Sequence, residues 1–249
     1  MFGPPVGFDA YDQETEQNRV LRSLPRSSYV RLRPYLEPVR LPLKQTLWKP
    51  DDALEWVYFP RTSAISLIVS LSEGPVEAAT VGNEGIVGMA AVLGSERASK
   101  LAITQLPGDA ARVCSSVFRG LVEDDPSLRL MTLRCAHALL EQASQSAACN
   151  ARHRTGRRCA RWILMTHDRA HADEFPLTHQ LLAIMLGVRR ASVTEAAQEL
   201  QQQGAIEYTH GHVKVTSRTT LEHLACECYA AIQASYERLF GNGKTAPTS

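Results

Sequence analysis

Four side chains that can recognise nucleic acid lie close together at the start of a predicted helix: Arg189, Arg190, Ser192 and Thr194. A guanidinium group can donate two hydrogen bonds to O6 and N7 of one guanine, so an arginine here can read a base. Hydroxyl groups suit phosphate oxygens, whose contacts orient a protein on the duplex without reading its sequence. The pattern predicts a helix whose N-terminal end binds DNA.

Two helices joined by a glycine turn would position these side chains. The first predicted helix begins near Thr178, the turn falls at Gly187, and the second helix ends at Gly204. This is the helix-turn-helix pattern, whose second helix enters the major groove. Two alternating strands around His210 would then form the wing of a winged helix. The other side chains expected at the DNA are Thr178, His179, Gln180 and Lys214.

The first half of the chain predicts a β-rich domain. Residues 24–124 contain strand-length segments, rich in β-branched and aromatic residues, that turn sequences separate. Such regular spacing is typical of an antiparallel sandwich or jelly roll. Residues 1–23 are rich in Gly, Pro, Asp, Gln and Glu and lack periodicity, so we expect a mobile tail there.

A long helix is predicted over residues 125–152, where Asp125 and Pro126 suit a helix N-terminus. Apolar and small residues recur along it at spacings of three and four, as in the seam between paired helices. They are Leu133, Ala136, Leu140, Ala143 and Ala147. A helix about 40 Å long would extend beyond a small domain, which favours a homodimer interface. The alternative is a helix that packs only on its own domain.

Residues 153–249 are predicted to form the winged helix-turn-helix domain. A terminal helix is expected to open at Thr219 and run to Phe240. Five arginines crowd together between residues 152 and 161, and such a run indicates a solvated helix face.

In this order of domains, the chain resembles the Crp/Fnr family of bacterial transcription regulators over about residues 24–225. The clearest motif runs from Leu177 through Gly187 to Val193, and Thr155-Gly156-Arg157 resembles the start of the family's DNA-binding domain. The resemblance implies an α+β fold with an N-terminal β jelly-roll domain of the cyclic-nucleotide-binding type, a long dimerisation helix and a C-terminal winged helix-turn-helix. It also implies a homodimer that binds a near-palindromic site in double-stranded DNA and contacts RNA polymerase.

The predicted recognition helix departs from that of the best-known members. Arg190 keeps the position that reads guanine, whereas Ala191 replaces a glutamate and Glu195 replaces a second arginine. A carboxylate near DNA is repulsive unless it meets a cytosine amino group. We therefore expect a different operator sequence, with DNA binding retained.

The sensor domain departs further from the family pattern. Members that bind cyclic nucleotides carry a Gly-Glu-Leu turn, which here reads Gly88-Met89-Ala90 and lacks the carboxylate. Cyclic AMP is therefore not expected in the usual mode, the effector is unknown, and no cofactor is evident. The candidate ligand-binding residues are Glu84, Gly85, Gly88, Met89, Arg97 and Lys100.

Cys226 and Cys228 raise the question of a zinc or redox site. On one helix, side chains two residues apart point about 200° from each other, so the two thiols would not share a ligand sphere. Their predicted role is that of small buried side chains, and no metal site is expected. Paired carboxylates and a nucleophile with its base are also missing from the sequence, so we predict no catalytic residues and no enzyme activity.

The composition is that of an ordinary globular protein: 249 residues, 44% hydrophobic and 21% charged, with a net charge of +1. Its apolar runs fall short of the roughly 20 residues that a membrane span needs. The six cysteines all lie from Cys114 onward and are interpreted as reduced thiols. Together with the lack of a visible secretory signal, they favour the cytoplasm. The alternative function is a small-molecule receptor whose winged helix docks a protein partner.

Overall fold

The computed structural model describes residues 12–209 and 211–240. In this part of the chain a β-rich domain is followed by a long helix and by a helical domain with a small sheet. The predicted α+β architecture is confirmed. Among the described residues, no helix combines the length and the apolar character needed to cross a membrane.

The predicted mobile tail is wrong for residues 12–23, and residues 1–11 lie outside the described residues. A short 3-10 helix at Gln13–Thr15 leads into helix α1, Arg19–Ser23. The Asn18 side chain accepts hydrogen bonds from the first amides of α1 and donates one to the carbonyl of Pro60, 2.7 Å away. A helix cap and two buried apolar residues, Val20 and Leu21, anchor a segment whose composition is mostly polar.

The N-terminal domain consists of two antiparallel sheets with short helices at either end. Helix α2 spans Arg26–Leu32, and 3-10 helices lie at Arg33–Tyr35 and Met89–Ala91. The strands are β1 Glu37–Leu41, β2 Thr46–Trp48, β3 Trp56–Pro60, β4 Ala64–Leu71, β5 Gly74–Val81, β6 Leu101–Leu106 and β7 Gly108–Cys114. One sheet has the order β1-β7-β3 and the other β2-β6-β4-β5. Apolar residues such as Leu41, Phe59 and Ile65 are fully buried in the domain.

Helix α3, Ser115–Asp124, leads into the long helix α4, Pro126–Arg152, which lies within the predicted bounds. The Asp125 carboxylate accepts hydrogen bonds from the amides of Ser127 and Leu128, at 2.9 and 3.1 Å. A proline in the first turn needs no amide partner there. Local sequence therefore fixes where the helix begins.

The C-terminal domain contains five helices and a three-stranded sheet in its described part. The helices are α5 Thr155–Ala170, α6 His179–Leu186, α7 Arg190–Gln202, α8 Arg218–Leu224 and α9 Cys228–Phe240. The strands are β8 Glu174–Pro176, β9 Ile206–Thr209 and β10 His212–Val215, in the order β8-β10-β9. The hairpin between β9 and β10 is the predicted wing, and His210 lies outside the described residues.

The predicted terminal helix from Thr219 to Phe240 is two helices. Ser217 caps α8 by accepting a hydrogen bond from the amide of Thr220. The helix ends at Leu224, and α9 begins at Cys228 after a short non-helical linker. This break also overturns the prediction that the two C-terminal cysteines share one helix. Cys226 lies in the linker and only Cys228 lies on α9.

The two domains share a continuous apolar core. Ala64, Ile68 and Leu106 of the jelly roll pack in the same cluster as Trp162 of α5 and Met185 of α6. Part of the arginine run between residues 152 and 161 also lies in the interior, whereas the sequence predicts a solvated helix face there.

Arg158 and Arg161 of that run are buried. The Arg158 side chain donates to the backbone carbonyl of Leu186 at the end of α6. Arg158 therefore ties α5 to the end of α6, and the prediction of a solvated face is wrong for these two arginines.

Candidate nucleic-acid interface

The turn between α6 and α7 depends on a cap at one end and a glycine at the other. The Thr178 hydroxyl caps α6 by accepting from the amide of Leu181, 3.1 Å away. Gly187 ends α6 with a φ of 60°, a conformation that residues with a Cβ rarely adopt. The sequence therefore dictates the angle at which α7 leaves α6.

Helix α7 has one buried face and one exposed face. Val193, Ala197 and Leu200 are buried in the core, as the sequence predicts. Arg189 and Arg190 are exposed at the N-terminal end, while Ser192 and Thr194 are half-buried beside them. The helix therefore presents its two guanidinium groups at the surface.

His179 and Thr194, both predicted at the DNA, make contacts inside the domain. The Nδ1 atom of His179 lies 3.1 Å from the Thr194 hydroxyl and so links α6 to α7. Its ring also packs on Tyr208 of β9, with 4.4 Å between the centroids. Burial, and then the charge of Arg190, lower the pKa of His179 below its usual value. A neutral imidazole that joins three elements is suited to hold the interface in shape.

The wing places its lysine between two acidic residues. Lys214 on β10 pairs in register with Glu207 on β9 and with Glu174 on β8. Directly paired residues lie on the same face of a sheet, so the two carboxylates reduce the positive field around this exposed lysine. Lys214 therefore offers a weaker phosphate contact than its charge alone indicates.

The exposed arginines also face the jelly roll. Arg189, Arg190 and Gln180 line a cleft of about 730 Å³ together with Glu73, in the turn between β4 and β5, and Val76 of β5. A helix in a major groove needs phosphate strands on both of its sides, about 12 Å apart. In this arrangement, the β4–β5 hairpin takes up part of that room.

Residues 157–224 match the family model of the Crp-like helix-turn-helix domain. The region is named the Crp-like domain after this match. No curated protein matches the chain by sequence. The predicted resemblance to the Crp/Fnr family is confirmed by this match over residues 157–224, and solved structures of the family share the fold of most of the chain.

Three of those structures show how far the similarity extends. FixK2 from Bradyrhizobium japonicum is 17% identical with a TM-score of 0.63, and the match covers 77% of this chain and 98% of that one. The c-di-GMP-responsive regulator CLP from Xanthomonas campestris is 16% identical with a TM-score of 0.62, covering 78% and 100%. A CRP-family transcriptional regulator from Thermus thermophilus is 17% identical with a TM-score of 0.63, covering 75% and 96%. At these identities the match establishes the shared fold.

The predicted dimer seam lies on the outward side of α4, which precedes the Crp-like domain. Leu133 and Leu140 are 53% and 63% exposed, and Ala147, seven residues further on, is also exposed. Ala136 and Ala143 are half-buried at the edge of this face. The opposite side of α4 packs on the protein's own core, through residues such as Met131 and Cys135. One apolar face of α4 therefore packs on the protein's own core, and the other is exposed to solvent.

The predicted ligand residues do not form a single site. Glu84 is buried and forms an ion pair with Arg169 of α5, 2.7 Å away. Gly85 accepts from the Asn18 side chain through its carbonyl, and the Arg97 guanidinium donates to the carbonyl of Asp51. Glu84, Gly85 and Arg97 thus make contacts within the fold and do not line the apolar cavity between the jelly roll and α4, so ligand binding by them stays a prediction.

A cavity of about 320 Å³ lies between the jelly roll and α4, and Gly88, Met89 and Lys100 contribute to its wall. Most of the lining is apolar, including Trp48, Leu54, Leu67, Ile86, Leu139 and Leu140. Lys100 is the charged side chain among the described residues that line it. Such a cavity suits an apolar molecule with at most one anionic group.

Proposed function

We propose that the protein is a homodimeric transcription regulator that binds a near-palindromic site in double-stranded DNA through the N-terminal end of α7. One observation carries this proposal: α7 is anchored in the core by Val193, Ala197 and Leu200 while Arg189 and Arg190 are exposed. The match of residues 157–224 to a Crp-like helix-turn-helix domain supports the same function.

Each side chain of the interface receives a role from its exposure and chemistry. Arg190 reads guanine through O6 and N7, and Arg189 contacts the backbone beside it. Thr178, Gln180 and Ser192 contact phosphates, and Lys214 adds a weaker contact from the wing. His179 and Thr194 act indirectly, because they join α6, α7 and the wing. Contact with RNA polymerase rests on the family resemblance alone.

The second copy of the chain would pair along the exposed face of α4. Leu133, Leu140 and Ala147 repeat every seven residues, the period of a two-helix seam. A two-fold axis along this seam would present two α7 helices to one duplex. Their spacing should be about 34 Å, one turn of B-DNA, so the operator should be a near palindrome.

The apolar cavity is proposed to hold the effector. Leu140 lines it and also lies on the exposed face of α4, where the partner subunit would pack. An occupant that displaces α4 would therefore alter the dimer interface. The small number of polar groups in the wall favours an apolar effector over a cyclic nucleotide.

The proposal is tested by selecting a site from random duplexes and measuring affinity by fluorescence anisotropy. Arg190→Ala should weaken binding by about 30-fold or more, because each half-site loses a bidentate base contact worth about 1 to 3 kcal/mol, and should relax specificity at one base pair in each half-site. Arg22→Ala, on α1, is the control and should leave affinity unchanged. Equal affinity of Arg190→Ala and the unaltered protein would refute the proposal that α7 reads the DNA.

The dimer is tested separately by Leu140→Glu, which buries a carboxylate in the proposed seam. Multi-angle light scattering should show a monomer, and affinity for the full site should fall by at least 100-fold because the second half-site is lost. Val30→Glu replaces another exposed apolar residue, on α2, and should remain dimeric. A Leu140→Glu protein that stays dimeric would refute the seam.

A further inference from the structure

Four side chains that commonly bind metal ions meet at the end of α4. They are Cys149, His153, Cys226 and Cys228, and one ligand atom of each lies within 4.8 Å of all the others. The three cysteines are buried and the histidine is half-buried. This is a set of three thiols and one imidazole, one of the usual ligand sets of structural zinc sites.

The backbone brings these residues together from two distant parts of the chain. Cys149 lies in the last turn of α4, and His153 follows four residues later, on the same side of the helix end. Cys226 lies in the linker after α8, and Cys228 is the first residue of α9. Because the chain is not helical between these two cysteines, both thiols can face one centre.

The separations fit one ion coordinated tetrahedrally. The sulfur atoms of Cys149 and Cys226 lie 3.5 Å apart, and the sulfur of Cys228 lies 3.5 Å from Nδ1 of His153. Zn–S and Zn–N bonds of about 2.3 and 2.0 Å place tetrahedral ligand atoms about 3.5 to 3.8 Å from one another. An iron–sulfur cluster needs room for several metal and sulfide atoms among its thiolates, so these atoms lie too close together for one.

Neighbouring groups orient the ligands in the way that zinc sites require. Nε2 of His153 lies 3.1 Å from the Glu227 carboxylate, which leaves Nδ1 facing the cysteines. Metal-binding histidines commonly donate their second ring nitrogen to a carboxylate, which fixes the tautomer. The Gln145 amide donates to the sulfur of Cys228 at 3.0 Å, a hydrogen bond that supports a thiolate. Two of the four candidate ligands, His153 and Cys228, are therefore held in place by contacts with Glu227 and Gln145.

Nearby charge matches the charge that such a complex would carry. Three thiolates, a neutral imidazole and a divalent ion have a net charge of −1. The buried guanidinium groups of Arg158 and Arg161 interact electrostatically with the thiols of this cluster. Burial of one negative complex is thus compensated by positive charge on α5.

We propose that Cys149, His153, Cys226 and Cys228 bind one Zn²⁺ ion, which ties the end of α4 to the linker between α8 and α9. Four protein ligands leave no open position, so the site is structural. It joins the dimerisation helix directly to the C-terminal domain at the point where the chain passes from one to the other. Zinc would hold the orientation of the recognition helix relative to the dimer.

The test uses the full-length protein, purified under reducing conditions and analysed by inductively coupled plasma mass spectrometry. We expect one zinc per chain. Exchange with Co²⁺ should give the strong visible absorption of tetrahedral cobalt, together with sulfur-to-cobalt charge transfer. Cys228→Ser should lower the bound metal at least tenfold, whereas Cys114→Ser, at a half-buried cysteine on β7 that is not part of the cluster, should keep one ion per chain.

A second variant separates metal binding from folding. His153→Cys supplies a fourth thiolate, so a folded variant should still bind one Co²⁺ and should show stronger charge transfer because four sulfur atoms now bind the ion. The cobalt titration of the unaltered protein tests metal binding without any effect of a substitution on folding. DNA binding is not part of this readout, so the result is independent of the proposed function.

Three outcomes would overturn the proposal. The first is folded, reduced protein that takes up neither zinc nor cobalt. The second is a disulfide between Cys149 and Cys226 in freshly purified protein, and the third is iron with acid-labile sulfide in place of zinc.

Discussion

Glu84 of the jelly roll and Arg169 of the Crp-like domain form a buried ion pair with 2.7 Å between Oε1 and Nη2. Burial opposes the charge of Arg169, but the Glu84 carboxylate, with smaller contributions from Tyr236 and Asp168, raises the pKa of the guanidinium group above its usual value. The arginine also donates to the carbonyl of Met165 on its own helix. The pair therefore fixes the contact between the two domains.

Glu84→Gln should strongly destabilise the protein, because it leaves the Arg169 charge buried without its counter-ion. The expected loss is about 3 to 5 kcal/mol in the free energy of unfolding, measured by urea denaturation. Glu37→Gln is the control, since Glu37 pairs with Arg112 at a partly exposed site where the loss should stay below about 1 kcal/mol. Similar losses in both variants would show that the buried Glu84–Arg169 pair contributes no more to the free energy of unfolding than the partly exposed pair does.

Glu195→Arg should strengthen binding to DNA in general. Glu195 is exposed on α7, where the resemblance to the family implies an arginine. One new phosphate contact per subunit should steepen the dependence of log affinity on log salt by about 1.8 for a dimer. Glu123→Arg makes the same change of charge at the end of α3 and should leave the slope nearly unchanged. An unaltered slope in Glu195→Arg would place this residue away from the duplex.

Val76→Asp should raise affinity for DNA. Val76 lies on the β4–β5 hairpin beside Gly187, and both line the cleft that contains the exposed arginines. A carboxylate there weakens the packing of the hairpin on α6, so a larger share of molecules should have α7 accessible, and affinity should rise severalfold. Ser72→Asp, at the exposed turn of the same hairpin, is the matched control. Unchanged affinity in a folded Val76→Asp protein would show that the hairpin does not compete with DNA.

The free energy of unfolding should fall as the pH drops below about 6.5, the ordinary pKa of histidine. Burial lowers the pKa of His179 in the folded protein, so the unfolded chain binds the proton more readily and acid favours unfolding. Urea denaturation at pH 7.5 and pH 5.5 should show a smaller loss for His179→Gln than for the unaltered protein. His137→Gln, at an exposed histidine, should lose as much as the unaltered protein does. An equal loss in all three proteins would refute the role of His179.

Local signals were sufficient to predict the recognition elements. Gly187 requires a left-handed turn, Thr178 caps the preceding helix, and the apolar spacing of α7 defines its buried face. Each signal acts within a few residues, so it can be seen in the sequence. The same holds for the start of α4, where Asp125 and Pro126 set the boundary.

Features that depend on distant contacts could not be predicted in this way. No glycine or proline marks the break between α8 and α9, so the sequence predicts one continuous helix there. On such a helix the side chains of Cys226 and Cys228 would point in nearly opposite directions. Cys149 and Cys226 are 77 positions apart, and only the folded chain brings their sulfur atoms together. Glu84 lies in a glycine-rich loop that resembles a ligand site, yet Arg169, 85 positions away, takes up its carboxylate.

Gly187 meets two steric requirements at once. Its φ of 60° is needed for the turn, and a Cβ built on it would lie 2.8 Å from Cγ2 of Val76. Asparagine tolerates the left-handed backbone, so it would satisfy the first requirement while violating the second. An asparagine at this one position would thus leave the helical hairpin intact and press the Val76 side chain of the β4–β5 hairpin away from α6.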